Sequence, residues 1–142
     1  MSKIAVVYWS GTGNTEEMAK QVTEAAKAAG AEVSTLTAGE FSADLADTYD
    51  AIAFGCPSMG AEVLEESEFQ PMWDSVLPKL KGKKIALFGS YGWGDGEWMH
   101  NWEEECGKSG ITLACDCVIC NEAPDDGAKE ACKALGKALI KY

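Results

Sequence analysis

The chain has 142 residues and a formal net charge of −11, which comes from 23 acidic residues against 12 lysines and no arginine. This balance argues against nucleic acid as a partner, because binding to a phosphate backbone needs a basic surface. The length predicts one domain over residues 1–142, and the absence of a long apolar run and the early start of the first predicted strand favour a cytoplasmic protein without a signal peptide or membrane span.

Apolar runs and helical periods alternate along the whole chain. Strands are predicted at about 3–8, 31–37, 50–55, 85–89 and 111–120. Helices are predicted at about 14–29, 42–46, 67–80 and 126–141, together with one helix that carries Trp98, Trp102 and Cys106 on a core face. This alternation is typical of an α/β fold with a parallel sheet, helices on both faces and right-handed crossovers.

The segment from Trp9 to Thr15, with sequence WSGTGNT, joins the first predicted strand to the first predicted helix. Its two glycines let backbone N–H groups turn inward, its hydroxyls add donors, and the helix N-terminus adds partial positive charge. Such a loop can hold a phosphate without Lys or Arg. A tight turn with Asn14 or Thr15 as the helix N-cap is the alternative, but the strand before it and the helix after it favour an anion site.

The loops after the first, third and fourth strands are expected to meet at one edge of the sheet, where ligands of such folds bind. The second and third loops carry Met59, Tyr91 and Trp93 among glycines, which suits a mononucleotide with an aromatic ring. A P-loop is excluded because no lysine follows Gly13, and a dinucleotide fingerprint is excluded because Glu16 stands where its third glycine is needed.

Two local patterns add expectations. The spacing of Ser67 and Gln70 predicts a capping box at the start of a helix. The six cysteines are expected to be free thiols, with Cys115 and Cys117 on one face of the fifth strand and Cys120 on the other, and no metal site is expected among them. The single histidine, His100, is expected to have no functional role.

The chain resembles the flavodoxin family along its whole length. Val6 to Thr15, followed by Met18, Ala19 and Val22, is similar to the family's FMN-phosphate signature, and the segments 59–62 and 89–96 are similar to the flavin loops of its short-chain members. The resemblance implies a doubly wound, five-stranded parallel sheet of order 2-1-3-4-5 with helices on both faces. It also implies non-covalently bound FMN as cofactor and electron transfer as the activity.

The resemblance further implies a set of FMN-binding residues. The phosphate would be held by Ser10, Gly11, Thr12, Gly13, Asn14 and Thr15. Trp93 would stack on one face of the isoalloxazine and Met59 would cover the other. Glu62 would accept from the flavin N3–H, and Gly60 would turn its carbonyl towards N5 once N5 is protonated. The remaining positions of the flavin loops are Pro57, Ser58, Ala61, Ser90, Tyr91, Gly92, Gly94, Asp95 and Gly96, and Asn121 would reach the rim.

These features predict a monomeric, low-potential one-electron carrier. Its acidic face would orient redox partners with basic docking surfaces, such as reductases and ferredoxin-dependent enzymes. The main alternative is an NAD(P)H-dependent flavin or quinone reductase of the same fold. It is disfavoured because Trp93 and Met59 would cover both flavin faces and no cation stands near the site to bind a second phosphate. A regulatory FMN-binding module is a third possibility.

Overall fold

In a computed structural model of the chain, residues 3–11, 13–59, 64–92 and 96–140 are described. The strands are β1 (Lys3–Tyr8), β2 (Glu32–Thr37), β3 (Ala51–Gly55), β4 (Lys84–Tyr91) and β5 (Val118–Asn121). The helices are α1 (Asn14–Ala28), α2 (Ala43–Ala46), α3 (Phe69–Val76), α4 (Glu97–Lys108) and α5 (Asp126–Ala138), with 3₁₀ turns at Ala38–Glu40 and Leu77–Lys79.

The five strands form one parallel sheet in the order β2-β1-β3-β4-β5, which confirms the predicted fold class. Successive side chains of a strand point to opposite faces, so β1, β3 and β4 contribute to two cores. The core beneath α1 and α5 contains Ile4, Val6, Ala53, Phe88, Met18, Val22 and Leu135. The core beneath α3 and α4 contains Val7, Phe54, Leu87, Phe69, Trp73, Trp98 and Trp102, so the predicted core face of α4 is confirmed.

The two helices on the first face approach each other closely at Gly136. A Cβ built at this position would lie 2.5 Å from the carbonyl oxygen of Val22 in α1. Only glycine allows this approach, because real Cβ atoms do not come so near to a backbone oxygen. The contact places α1 firmly against α5, and thereby fixes the position of the loop that precedes α1.

The fifth strand is shorter than predicted. Leu113 makes an isolated bridge to Ile85, and regular pairing begins only where Val118 lies opposite Phe88. These two contacts are three positions apart on β4 but five apart on the other chain, so the segment between them bulges away from the sheet. A regular strand through residues 111–120 is therefore wrong.

The bulge also changes the placement of the cysteines. Cys115 and Cys120 pack against the core beneath α1 and α5, whereas Cys117 packs against the opposite core. The expectation that Cys115 and Cys117 share a face is wrong, because strict alternation holds only along a regular strand. All six cysteines are free, and burial raises the pKa of every thiol, to about 12 for Cys56, Cys106 and Cys132.

The start of α3 also differs from its prediction. Its N-cap is Glu68, which makes no side-chain capping hydrogen bond, and the N–H groups of Glu68 and Phe69 are bound instead by the carboxylate of Glu65. The Ser67–Gln70 capping box is therefore wrong. A buried carboxylate that precedes the helix can accept several N–H groups at once, whereas a serine hydroxyl accepts fewer.

None of the helices in the described ranges is long and apolar enough to cross a membrane.

Candidate functional site

The loop after β1 is shaped around the hydroxyl of Ser10. Trp9 N–H donates to Gly55 O at 3.0 Å, which carries the chain out of the sheet beside β3. Ser10 Oγ then accepts from Gly13 N–H at 3.1 Å and from Glu16 N–H at 3.3 Å. Gly13 is the N-cap of α1 and has φ 98°, a left-handed conformation that glycine adopts at little cost. The first N–H groups of the helix therefore point into the loop.

Thr15, in the first turn of α1, carries a polar atom without a partner. The residue is 1% exposed, and its Oγ1 is buried with no hydrogen-bond partner among the described residues. A buried hydroxyl that lacks a partner costs free energy unless a ligand supplies one. Beside the N–H groups of a helix N-terminus, the chemically suitable ligand is an anion.

The immediate surroundings of the loop are acidic. Glu16 accepts from the Tyr8 hydroxyl at 3.4 Å. Burial raises the pKa of that hydroxyl, and the charge of Glu16 raises it further. An anion held here would therefore be bound by neutral donors and the helix terminus, without compensation by a lysine of the described loop.

A cavity of about 260 Å³ opens beside this loop at the carboxyl edge of the sheet. The segments that follow β1, β3 and β4 contribute to it, as the parallel topology predicts. It is lined by Trp9, Gly11, Asn14, Pro57, Ser58, Met59, Ser90, Tyr91, Gly92 and Glu122. Eight of these are predicted site residues, whereas Trp9 and Glu122 were not included in the predicted set.

The segments after β3 and β4 run together past the end of the regular sheet. Cys56 N–H donates to Phe88 O at 3.1 Å, and Ser58 N–H donates to Ser90 O at 3.0 Å. A Cβ at Gly89 would lie only 2.2 Å from Cys56 O, so this approach requires glycine. These contacts fix the positions of the segments after β3 and β4 relative to each other, and both segments line the cavity.

Glu122, just beyond β5, adds a fourth segment to the cavity. Its N–H donates to Tyr91 O at 2.7 Å, and its carbonyl accepts from Ser90 Oγ at 2.6 Å. The neighbouring Asn121, expected at the rim, donates its side-chain amide to Tyr91 O at 3.3 Å. Glu122 could have been predicted from the sequence, because it directly follows β5 and this strand also ends at the carboxyl edge of the sheet.

The other predicted residues lie in several places. Ser10, Gly13 and Thr15 belong to the loop beside the cavity but do not line it. Gly96 is the N-cap of α4 and lines a separate cavity of about 270 Å³ with Met99, His100, Glu103, Asp116, Cys117 and Ile119. Seven predicted residues lie outside the described ranges: Thr12, Gly60, Ala61, Glu62, Trp93, Gly94 and Asp95.

Glu65 is a buried carboxylate next to the site, with 5% of its surface exposed. Oε1 accepts from the N–H groups of Glu68 and Phe69, each at 2.8 Å, and Oε2 accepts from the Ser67 N–H at 2.8 Å and from the Ser67 hydroxyl. Burial by itself would raise the pKa of Glu65, but these hydrogen bonds outweigh it and hold the pKa below its ordinary value.

A doubly wound parallel sheet with a glycine-containing loop and a cavity at its carboxyl edge is typical of nucleotide-binding α/β proteins. The family model described as "Flavodoxin" matches residues 6–135. The flavodoxin of Megasphaera elsdenii is 46% identical over 138 residues, which are 97% of this chain and 98% of that protein. The flavodoxin of Clostridium beijerinckii is 42% identical over 134 residues, 94% and 96% of the two chains.

A solved structure of one of these relatives has the same fold as this chain. The solution structure of two-electron reduced Megasphaera elsdenii flavodoxin has a TM-score of 0.90 and 47% identity, over 98% of this chain and 99% of that one. The chain belongs to the flavodoxin family. It is an FMN-binding electron carrier that acts with partner proteins, which confirms the predicted family, cofactor and activity. The reductase alternative is not better supported by these relatives.

The low pKa of Glu65 predicts a pH-dependent contribution to folding. Hydrogen bonds to a charged group contribute about 1.5–3 kcal/mol, so Glu65→Gln should lower the free energy of unfolding at pH 7 by about that much. Because the folded-state pKa is depressed, the contribution is present above the unfolded-state pKa and is lost as pH falls through the folded-state value. Urea unfolding of the apoprotein between pH 7 and pH 3 should show the two proteins converging.

Glu66→Gln is the matched control, because Glu66 is the adjacent glutamate and is exposed. Its unfolding free energy should run parallel to that of the parent chain. A constant difference in unfolding free energy between Glu65→Gln and the parent across this pH range would contradict a lowered pKa for Glu65 in the folded protein.

Proposed function

We propose that the chain is a low-potential one-electron carrier in which the loop of residues 10–15 holds the FMN phosphate and the adjacent cavity receives the isoalloxazine ring. FMN, when bound, supplies the site that accepts and releases the electron. The protein then has three tasks: to bind the phosphate, to orient the ring, and to set the free energy of adding negative charge to it.

The observation that carries the phosphate assignment is the buried hydroxyl of Thr15, which has no hydrogen-bond partner within residues 3–11, 13–59, 64–92 and 96–140. It lies in the first turn of α1, where the helix dipole favours an anion. The neighbouring Ser10 hydroxyl oxygen already accepts two N–H groups of this turn, so its own proton remains available for a phosphate oxygen. The remaining proposed donors are Gly11, Thr12, Gly13 and Asn14.

The ring assignment rests on the lining of the cavity. Met59, Tyr91 and Trp9 offer polarisable or aromatic surface there, and Ser58, Ser90 and Gly92 offer polar groups at its edge. For the residues outside the described ranges, the proposal follows the family pattern. Trp93 would stack on one ring face, Glu62 would accept from N3–H, and Gly60, Ala61, Gly94 and Asp95 would complete the surrounding loops.

The low potential is an electrostatic proposal. Glu122 lines the cavity, Glu16 adjoins the phosphate loop, and Glu68 accepts from the Trp9 indole N–H at 3.1 Å. Among the described residues that line the cavity, no lysine is present to offset these charges. Each nearby negative charge makes a reduced, anionic flavin less stable and so lowers the potential at which it forms.

Thr15→Val tests the phosphate site directly. A hydrogen bond to a charged group contributes about 1.5–3 kcal/mol, so FMN should bind about 10- to 100-fold more weakly. The apoprotein should be at least as stable as the parent, because Thr15 Oγ1 has no partner to lose among the described residues. Fluorescence titration of apoprotein with FMN and urea unfolding measure the two quantities.

Thr23→Val is the control on the same helix. Thr23 is also buried, but its hydroxyl is hydrogen-bonded to Thr35 at 3.0 Å. This variant should lose stability, by about 1 kcal/mol, while it retains the parental affinity for FMN. If Thr15→Val bound FMN as tightly as the parent, the phosphate assignment would be refuted.

The partner proposal rests on the distribution of charge. Glu122 lines the cavity, and Glu16 and Glu68 adjoin it; all three are exposed. The lysines at 79, 81, 83 and 84 precede or begin β4 at the opposite edge of the sheet. We therefore expect weak, short-lived complexes in which basic surfaces of reductases or ferredoxin-dependent enzymes dock at the flavin edge of a monomer. Six free cysteines favour a reducing compartment such as the cytoplasm.

The docking proposal predicts that electron transfer to a basic haem protein slows as salt rises, at acceptor concentrations below saturation. Glu66→Gln, in the exposed turn that precedes α3 and also carries Glu68, should reduce both the rate at low salt and its dependence on salt. Glu32→Gln, at the start of β2 and the opposite edge, should change neither. Stopped-flow rates that are flat with salt would contradict docking at this edge.

A further inference from the structure

Glu65 does not line the cavity. It is held in place next to it by hydrogen bonds of both its backbone and its side chain. Its N–H donates to Cys56 Sγ at 3.4 Å, and its carbonyl accepts from Gln70 N–H at 2.8 Å. Its carboxylate accepts the four hydrogen bonds from Ser67, Glu68 and Phe69 described above. Glu65 is therefore a fixed point at the start of α3.

Cys56 is a second fixed point, at the end of β3. Its N–H donates to Phe88 O, its carbonyl accepts from the Trp98 indole N–H at 3.1 Å, and its side chain is fully buried. The contact between Glu65 N–H and Cys56 Sγ joins the two ends of the intervening segment, residues 57–64. This segment contains Met59, which lines the cavity, and Gly60, Ala61 and Glu62 of the proposed site.

Glu65 is also connected to Trp9, a cavity-lining residue of the segment after β1. Its Oε1 accepts from Glu68 N–H, and the Glu68 carboxylate in turn accepts from the Trp9 indole N–H at 3.1 Å. Trp9 lines the cavity next to the phosphate loop. The backbone N–H of Glu65 thus joins the end of segment 57–64 to Cys56, and its buried carboxylate holds the turn that carries Glu68, whose side chain accepts from Trp9.

We propose that Glu65 is a positioning residue for the cofactor: without touching FMN, it fixes the carboxyl-terminal end of segment 57–64 and the orientation of the Trp9 ring. This inference rests on the proposed function, in which segment 57–64 contacts the flavin. A closed loop with two fixed ends has far fewer conformations than a loop with one free end, so less entropy is lost when the cofactor binds.

A positioning role differs from a purely structural one in its effect on the redox states. If Glu65 only stabilised the fold, its loss would weaken the binding of oxidised and reduced FMN by the same factor. If it positions the segment against the ring, the two forms are affected unequally, because reduction changes the charge and hydrogen-bonding pattern of the ring that the segment meets. An unequal change in affinity appears directly as a change in potential.

The first test uses the apoprotein. Amide hydrogen exchange should be at least tenfold faster in segment 57–64 of Glu65→Gln than in the parent, with exchange in α5 unchanged. Glutamine keeps one acceptor oxygen, so the fold is retained, and Glu65→Ala should show a larger effect at the same place. Glu66→Gln removes the same charge from the adjacent, exposed position and should match the parent.

The second test uses the FMN-loaded protein. Glu65→Gln should change the ratio of the affinities for oxidised and one-electron-reduced FMN by about tenfold relative to Glu66→Gln, which is a shift of about 59 mV in the first reduction step. The comparison of two glutamate-to-glutamine variants separates position from charge. Potentials and segment exchange that are the same in Glu65→Gln and Glu66→Gln would overturn the positioning role.

Failure of the proposed site is distinguishable from failure of this inference. If Thr15→Val retains full FMN affinity, the site itself is misassigned and the inference falls with it. If Thr15→Val weakens FMN while Glu65→Gln behaves as Glu66→Gln does, the site stands and the positioning role alone is refuted.

Discussion

The first turn of α1 presents hydrogen-bond donors to the carboxyl edge of the sheet, where no lysine lines the cavity among the described residues. The N–H groups of Gly13 and Glu16 converge on the Ser10 hydroxyl, and the hydroxyl of Thr15 is buried with no hydrogen-bond partner in the part of the chain that the structure describes. A phosphate bound here would keep its charge, because neutral donors stabilise an anion without cancelling it. In the proposed site, the electrostatic environment of the ring, and therefore the potential of the carrier, would depend on this property of the loop.

The rest of the fold maintains that arrangement. Gly136 lets α5 pack directly on α1, which sets the position of the helix N-terminus. Gly89 lets β4 approach Cys56, so that the segments after β3 and β4 emerge side by side. Larger side chains at these two positions would separate elements that the site needs together. The cavity is therefore a consequence of close backbone contacts well inside the protein, as much as of the residues that line it.

Acidic residues just before α3 fall into two chemical groups. Glu65 is buried, and its carboxylate is bound by four donors, so it contributes to structure as much as to charge. Glu66 is exposed and contributes mainly to the long-range field. Adjacent residues of the same type thus have different roles, and a count of acidic residues alone does not separate them.

Much of the fold and part of the site could be predicted from the sequence. The segment of β1, the glycine-containing loop and α1 was predicted correctly, because it forms a local sequence pattern. The buried strand β3 was also predicted correctly, because it is a continuous apolar run. The bulge before Val118 could not be predicted, because the residues from Ile111 to Cys120 resemble a regular strand and only their pairing with β4 shows otherwise. Capping by Glu65 was missed for a similar reason, since its partners are brought to it by the turn that precedes α3.

The most direct test of the central claim compares FMN with riboflavin, which lacks the phosphate, in titrations of the parent apoprotein at low and high salt. The account predicts that FMN binds at least about a hundredfold more tightly, because two or more donors each contribute about 1.5–3 kcal/mol to a charged acceptor. It also predicts that this ratio persists at high salt, since no lysine takes part. Equal affinities, or a ratio that collapses as salt rises, would contradict a neutral phosphate-binding loop.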